Sequence, residues 1–338
     1  MTRQIAVRVL AVAVLVIGSG FVHQQVARYP GMEHEGKAFE ITQVVPGVYH
    51  ALGTGAMSVG ANVVIVEGDR DLLLVDANAS PAAAAVLLEE LRAITDKPVR
   101  TVVNTHYHFD HAHGNQIYGP DVEIVGTEYT RRALASGRSR NDRAYNSFVR
   151  TIPDRIAQLE GQVARAADAA ERRTLEGQLA AQRSYKAATD AVVPTPSTVT
   201  VDDVMTLYRG GRPIRIMFVG RSHTGGDLVV HLPQDRVLIT GDMLSTGVPF
   251  MGDGYVPEWP ATLENLKQLE FDWIVPGHGP AFRERAKIDQ LQAYMRDFWT
   301  RARELHDAGV SAADAAARIA GVQVQAVERA YELMEGGS

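Results

Sequence analysis

His106-Tyr107-His108-Phe109-Asp110-His111 places three imidazoles and a carboxylate within six consecutive positions. A lone histidine is most often a hydrogen-bonded core or surface residue, and His23, His34, His50, His231 and His306 are read that way. The cluster is different. It follows an apolar run, 99–103, that reads as a buried strand. Residues two apart at a strand end point to the same side, so His106 and His108 can share one cation. The chain then turns, and Asp110 and His111 can face a second cation beside the first. Neutral imidazole with carboxylate and no thiolate suits Zn(II), Mn(II) or Fe(II).

Two cations need more than these four ligands, and the second half of the chain offers three more residues, each following an apolar strand. His223 lies in Gly220-Arg221-Ser222-His223-Thr224-Gly225-Gly226-Asp227, Asp242 in Thr240-Gly241-Asp242, and His278 in Pro276-Gly277-His278-Gly279. Glycines beside each let the backbone bend sharply and approach closely. His113 and Asp227 sit near these residues, but nothing in the sequence gives them to a metal.

Around these motifs the periodicity alternates. Residues 62–67 and 72–75 read as a hairpin, and Ser80-Pro81 as the start of a helix with Leu87, Leu88, Leu91 and Ile94 on its apolar face. Strands are expected at 99–103 and 122–125, then at 204–208, 214–219, 228–232 and 237–240. A helix at 261–269 and a strand at 273–275 follow. Two similar halves imply two sheets face to face with helices outside, a four-layer αββα sandwich in the α/β class, over 38–282. Residues 128–193 are rich in Ala, Arg, Gln and Glu and read as an inserted helical hairpin breaking near 167–170, either a solvated decoration or a wall over the site. Residues 283–335 read as a C-terminal helical extension, with Ser311 capping one helix and 322–334 forming another. Its role is packing or a homo-oligomer surface.

At the other end, Arg3 and Arg8 precede the apolar run 9–17 and the small residues Gly18, Ser19 and Gly20. That order reads as a secretory signal over 1–27, cut after Ala27 or near Gly20, with a retained anchor as the alternative. The run is shorter than the roughly 20 residues a membrane span needs. A periplasmic or secreted protein with no lasting membrane insertion is expected. Composition narrows the function further. The chain has 338 residues, a formal charge of −6 and no cysteine. The first admits one large domain with additions, the second offers no electrostatic footprint for nucleic acid, and the third removes disulfides and thiolate chemistry.

Motif by motif, with Asp76 after the strand 72–75, the run 106–111, His223, Asp242 and His278, the sequence resembles the metallo-β-lactamase superfamily over roughly residues 40–282. The resemblance implies an αββα fold with a binuclear site between the sheets. It gives His106, His108 and His223 to one metal, Asp110, His111 and His278 to the other, and Asp242 to both. Asp76 then supports the ligand loops without binding metal, and the expected cofactor is two Zn(II) per chain, with Mn(II) or Fe(II) as alternatives. Many true β-lactamases of this kind place Cys or Ser where this chain has Asp242. Its ligand set looks more like hydroxyacylglutathione hydrolases, lactonases and related exported hydrolases.

The mechanism implied is attack by a metal-bridging hydroxide on a small-molecule carbonyl ester, lactone, thioester or amide, with Asp110 orienting the hydroxide and relaying its proton. The alternatives are a true metallo-β-lactamase and a single-iron persulfide-type oxygenase. Tyr107, Phe109, Met243, Phe250, Tyr255 and Trp259 are candidates to line an apolar mouth.

Overall fold

The computed structural model describes residues 27–337, so the signal-or-anchor segment lies, but for Ala27, outside the described residues. Among the described residues no helix is long and apolar enough to cross a membrane.

Two sheets carry the molecule. The first contains β1 (Phe39–Val45), β2 (Val48–Gly53), β3 (Val63–Glu67), β4 (Leu72–Val75), β5 (Val99–Val103), β6 (Glu123–Gly126) and β7 (Val199–Thr200), in that spatial order. Its first four strands pair antiparallel and β4 to β7 pair parallel. The second contains β8 (Val204–Arg209), β9 (Arg212–Phe218), β10 (Leu228–Leu232), β11 (Val237–Gly241) and β12 (Trp273–Pro276). It is antiparallel from β8 to β11, and β12 pairs parallel to β11.

The continuous apolar runs follow from burial on both faces. In β4, Leu73 and Val75 join the core between the sheets, while Leu72 and Leu74 face the outer helix. The inter-sheet core takes Val64, Val66, Val103 and Val125 from one sheet and Ile214, Leu228, Val230 and Ile239 from the other. Each such side chain contributes about 1.5–3 kcal/mol by leaving water. Leu73→Ala would therefore cost about 2–5 kcal/mol, cavity included.

Outside the first sheet lies α1 (Pro81–Leu91), started by Ser80, whose hydroxyl accepts from the Ala83 amide at 3.2 Å. The run of alanines at 82–85 is buried, which lets the helix lie close on the sheet. The helix stops at Leu91, so the expected fourth apolar contact fails: Ile94 is 41% exposed. Outside the second sheet lie α7 (Trp259–Leu266) and three C-terminal helices, α8 (Ala286–Asp307), α9 (Ala312–Arg318) and α10 (Val324–Met334), sharing one core. Four layers result, as the sequence implies.

The segment 128–193 is helical but is more than a hairpin. α3 (Glu128–Ala135) and α4 (Arg143–Phe148) precede the antiparallel pair α5 (Ile152–Arg165) and α6 (Ala169–Asp190). The pair breaks at Ala166, and Asp168 caps α6 by accepting from the Ala170 and Glu171 amides. A one-turn helix, α2 in space though lying between β5 and β6, spans Phe109–Ala112 and carries half of the metal motif.

Candidate metal centre

The ligand-bearing residues sit at one edge of the sandwich. Asp76 follows β4, His106 is the third residue after β5, Asp242 follows β11 directly, and His278 lies just past β12. β4 and β5 run parallel, as do β11 and β12, so four carboxyl-terminal strand ends meet there. His223 reaches the same edge from the loop between β9 and β10.

Three imidazoles converge on one point. His106 Nε2 lies 3.1 Å from His108 Nδ1, and His223 Nε2 lies 2.9 Å from that same His108 nitrogen. All three are buried. A second group forms beside them from Asp110, His111 and His278. Asp110 Oδ2 is 3.7 Å from His111 Nε2 and 3.1 Å from His278 Nε2. Asp242 reaches both groups: Oδ1 is 3.4 Å from His111 Nε2, and Oδ2 is 3.5 Å from His223 Nε2 and 3.4 Å from His278 Nε2.

This donor set fits a pair of divalent cations. His111 Nε2 and Asp242 Oδ1 are buried without a hydrogen-bond partner, yet face each other across the cleft. Two such donors are costly to bury unless a cation holds them. The tautomers agree. His111 Nδ1 lies 2.8 Å from Asp76 Oδ2, which leaves Nε2 with its lone pair toward the cleft. His106 Nδ1 lies 3.1 Å from the Thr105 hydroxyl, which itself donates to Asp76, so His106 Nε2 is free in the same way.

Electrostatics do not follow the grouping cleanly: among the three imidazoles burial lowers two, while Asp253 and Asp142 outweigh burial and raise His108. Burial holds the His223 imidazole down at about 3, with the neighbouring His108 and His111 adding to that and Asp242 opposing it. Burial also lowers His106. On the other side burial is overcome by carboxylates. Asp242, Asp76 and Asp110 push His111 well up, and Asp242 with Asp110 raises His278 to about 10. Correspondingly Asp110 and Asp242 stay far below the ordinary carboxylate range despite their burial, because His111 and His278 face them.

Local backbone makes the arrangement possible. Asp76 has φ 70°, an uncommon conformation for a side-chain-bearing residue, and is fixed there by the Thr105 amide at 2.8 Å as well as by His111. Gly277 is required by space: a Cβ there would collide with Asp242 Oδ1 and with the His111 ring. Asn62, just before β3, donates to Pro276 O at 3.0 Å and Gly279 O at 2.8 Å, bracing the His278 turn from the opposite sheet.

The structure thus gathers every residue the motifs singled out, with Asp76 behind His111. Asp227 clamps the His223 loop by accepting from Ser222 Oγ at 2.6 Å and the Thr224 amide at 2.9 Å. His113 turns away, its Nε2 3.0 Å from Ser139 Oγ. Spacing did not reveal Thr105, Asn62, Asp142 or Asp253; Asn62 meets the turn at 276–279, and Asp253 meets His108 and the amides of 143 and 144, all far off in sequence. The apolar mouth needs correction: Tyr107, Met243 and Trp259 are wholly buried core, Phe109 and Tyr255 nearly so, and of the six only Phe250 is part-exposed. Its ring lies 5.7 Å from that of Phe148, which is 43% exposed at the end of α4. His34 contacts Met32 O and His231 contacts Glu270 O, in keeping with ordinary roles; His23 lies outside the described residues.

The chain is similar to several known proteins. The linear primary-alkylsulfatase of a Pseudomonas species is 25% identical over 246 residues, which is 69% of this chain but 44% of that enzyme. The chain therefore spans less than half of that relative's length. A stereoselective inverting sec-alkylsulfatase from Pseudomonas sp. superposes with a TM-score of 0.61 at 18% identity, over 89% of this chain and 51% of that one. A metallo-beta-lactamase from Pontibacter korlensis superposes with a TM-score of 0.55 at 18% identity, over 77% of this chain and 99% of that one. At such identities the two structures share the fold alone. Residues 56–278 match the profile of the metallo-beta-lactamase superfamily, and the chain belongs to that superfamily.

Proposed function

We propose that the chain is an exported, binuclear metal-dependent hydrolase of a small carbonyl ester, lactone, thioester or amide. The observation that carries this reading is Asp242, whose two oxygens reach His111, His223 and His278 and so join the two ligand groups. That joining supports two cations and counts against a single-iron oxygenase. When bound, Zn(II) or a similar ion supplies Lewis-acid activation of water and of the scissile group. His106, His108 and His223 would hold one ion, and Asp110, His111 and His278 the other.

The chain's own groups supply the rest. Asp110 Oδ2 faces the cleft 3.1 Å from His278 Nε2, where it can accept a proton from the attacking water and pass it to the leaving group. The scissile bond breaks, the water oxygen joins the acyl carbon, and the leaving group departs protonated. Asp76 and Thr105 hold His111 and His106 in the tautomers this needs.

A second reading, hydrolysis of a sulfate ester, is favoured by the likeness to the alkylsulfatase over 69% of the chain. A panel of an acyl lactone, an acyl thioester, a chromogenic cephalosporin and an alkyl sulfate, run on metal-loaded and chelator-stripped protein, tests both. Chelator-sensitive turnover of the lactone or thioester is expected. Dominant turnover of the cephalosporin or the sulfate would replace the substrate class, and silence on all four would overturn hydrolysis.

A further inference from the structure

We infer that Asp253 is a positioning residue for the tri-histidine group and that the helical segment 128–193 holds its carboxylate in place, an inference that rests on the metal-binding reading above. His108 offers Nδ1 to His106 and His223 and turns Nε2 the opposite way, toward Asp253 Oδ2 at 3.3 Å. The contact is close but off the hydrogen-bond line, and both side chains are buried. A carboxylate on the remote nitrogen of a ligating imidazole keeps the proton there and the lone pair on the ligating side. For His108 that is the tautomer with Nδ1 free, the one the three-way convergence requires.

What fixes Asp253 comes from outside the sandwich. The Ala144 amide donates to Oδ2 at 3.1 Å and the Arg143 amide to Oδ1 at 3.4 Å, both from the first turn of α4. That turn is closed by Asp142, which is buried and accepts from the Tyr145 amide at 2.6 Å. Arg143 also donates to Gly252 O at 3.3 Å and pairs with Glu332 of α10. From the other side Arg329, buried on α10, donates to Gly254 O at 3.1 Å. Residues 252–254 are therefore gripped by the inserted helices and by the C-terminal helix, and the carboxylate that faces His108 sits at the centre of the grip. The insertion acts on the site from behind, as a brace for one ligand.

The test uses the full chain with Co(II) as probe, read by competitive chelator titration and by the ligand-field absorption of the bound ion. His223→Ala marks which of the two ions belongs to the tri-histidine group. Asp253→Asn keeps the shape but removes the charge and presents an amide to two backbone donors. It should weaken that one ion by about 10–100-fold, alter its absorption, and leave the other ion as in the parent. Asp142→Ala loosens the α4 turn and should weaken the same ion several-fold. Asp168→Ala removes the equivalent cap from α6, away from Asp253, and should change neither affinity.

Parent-like affinities and absorption in Asp253→Asn, even with a lower melting temperature, would reduce Asp253 to a structural latch and overturn the assignment. If Asp253→Asn does not fold, equal Co(II) affinities in Asp142→Ala and Asp168→Ala overturn it instead. A parent chain that takes up no Co(II) overturns the metal reading itself, a distinct failure.

Discussion

The two ligand groups of the centre are built to different plans. The tri-histidine group is sealed, its three residues at most 2% exposed, with Asp253 behind one imidazole and Thr105 behind another. The group of Asp110, His111 and His278 opens to solvent: the His278 side chain is 47% exposed and that of Asp110 14%. On the metal-binding reading proposed above, the sealed group would retain its ion, and the open group with its carboxylates would exchange ligands and meet substrate and water. That reading gives holding to one side and chemistry to the other.

The comparison breaks most readily at a ligand. His108→Ala should cost about three to four powers of ten in kcat/KM, since a cation supplies several kcal/mol of transition-state stabilisation. Metal analysis should show one ion lost from the sealed side; an unchanged metal content would mean that this group is not the tighter holder. Asp110→Ala should lower kcat by about 10²–10⁴-fold, the usual contribution of a positioned proton acceptor, while the sealed ion stays bound. Loss of both ions in that variant would contradict the division.

A smaller effect is expected behind the ligands. Asp76→Ala strands His111 Nδ1 and the Thr105 hydroxyl, and should weaken metal binding on the open side by about 10–100-fold, as read by chelator competition. If the sealed side weakens equally, the two groups are one network. The smallest effect comes from His50, which belongs to neither group. Burial lowers its pKa from 6.5 to about 4, against a hydrogen bond with Asn62 that raises it. Above pH 6.5 both folded and unfolded chains hold it neutral. As pH falls from 6.5 toward 4 the unfolded chain takes a proton that the folded chain refuses, so stability drops by about 3 kcal/mol. Urea unfolding of chelated and metal-loaded protein should show this His50 contribution in both, and His50→Gln should remove it.

How much of this was legible depends on range. The six-residue cluster, the Thr-Gly-Asp turn and the Pro-Gly-His-Gly turn announce themselves because each follows an apolar strand, and strand ends set where side chains point. Ser80 and Pro81 mark α1 by local chemistry, and its end at Leu91 was less clear because Ile94 continues the apolar spacing past it. β1 and β2 escaped notice because they lie at the sheet's outer side: β1 carries one buried residue, Phe39, among half-exposed neighbours. α3 and α4 are eight and six residues long, too short for periodicity to separate them from the hairpin that follows. Asp253 carries no signal at all. Its partners are His108 and the amides of 143 and 144, more than a hundred positions away, and an amide has no residue type to read.

Gly277 has an implication for how such a protein can change. With room for no more than a hydrogen atom between Asp242 and His111, position 277 admits no enlargement, and the turn that bears His278 is tied to Asn62 on the far sheet. Substitution is thus channelled away from this turn to positions with room to spare, such as the exposed Phe148 and Val248. Crowding fixes the turn, and variation is left to the periphery.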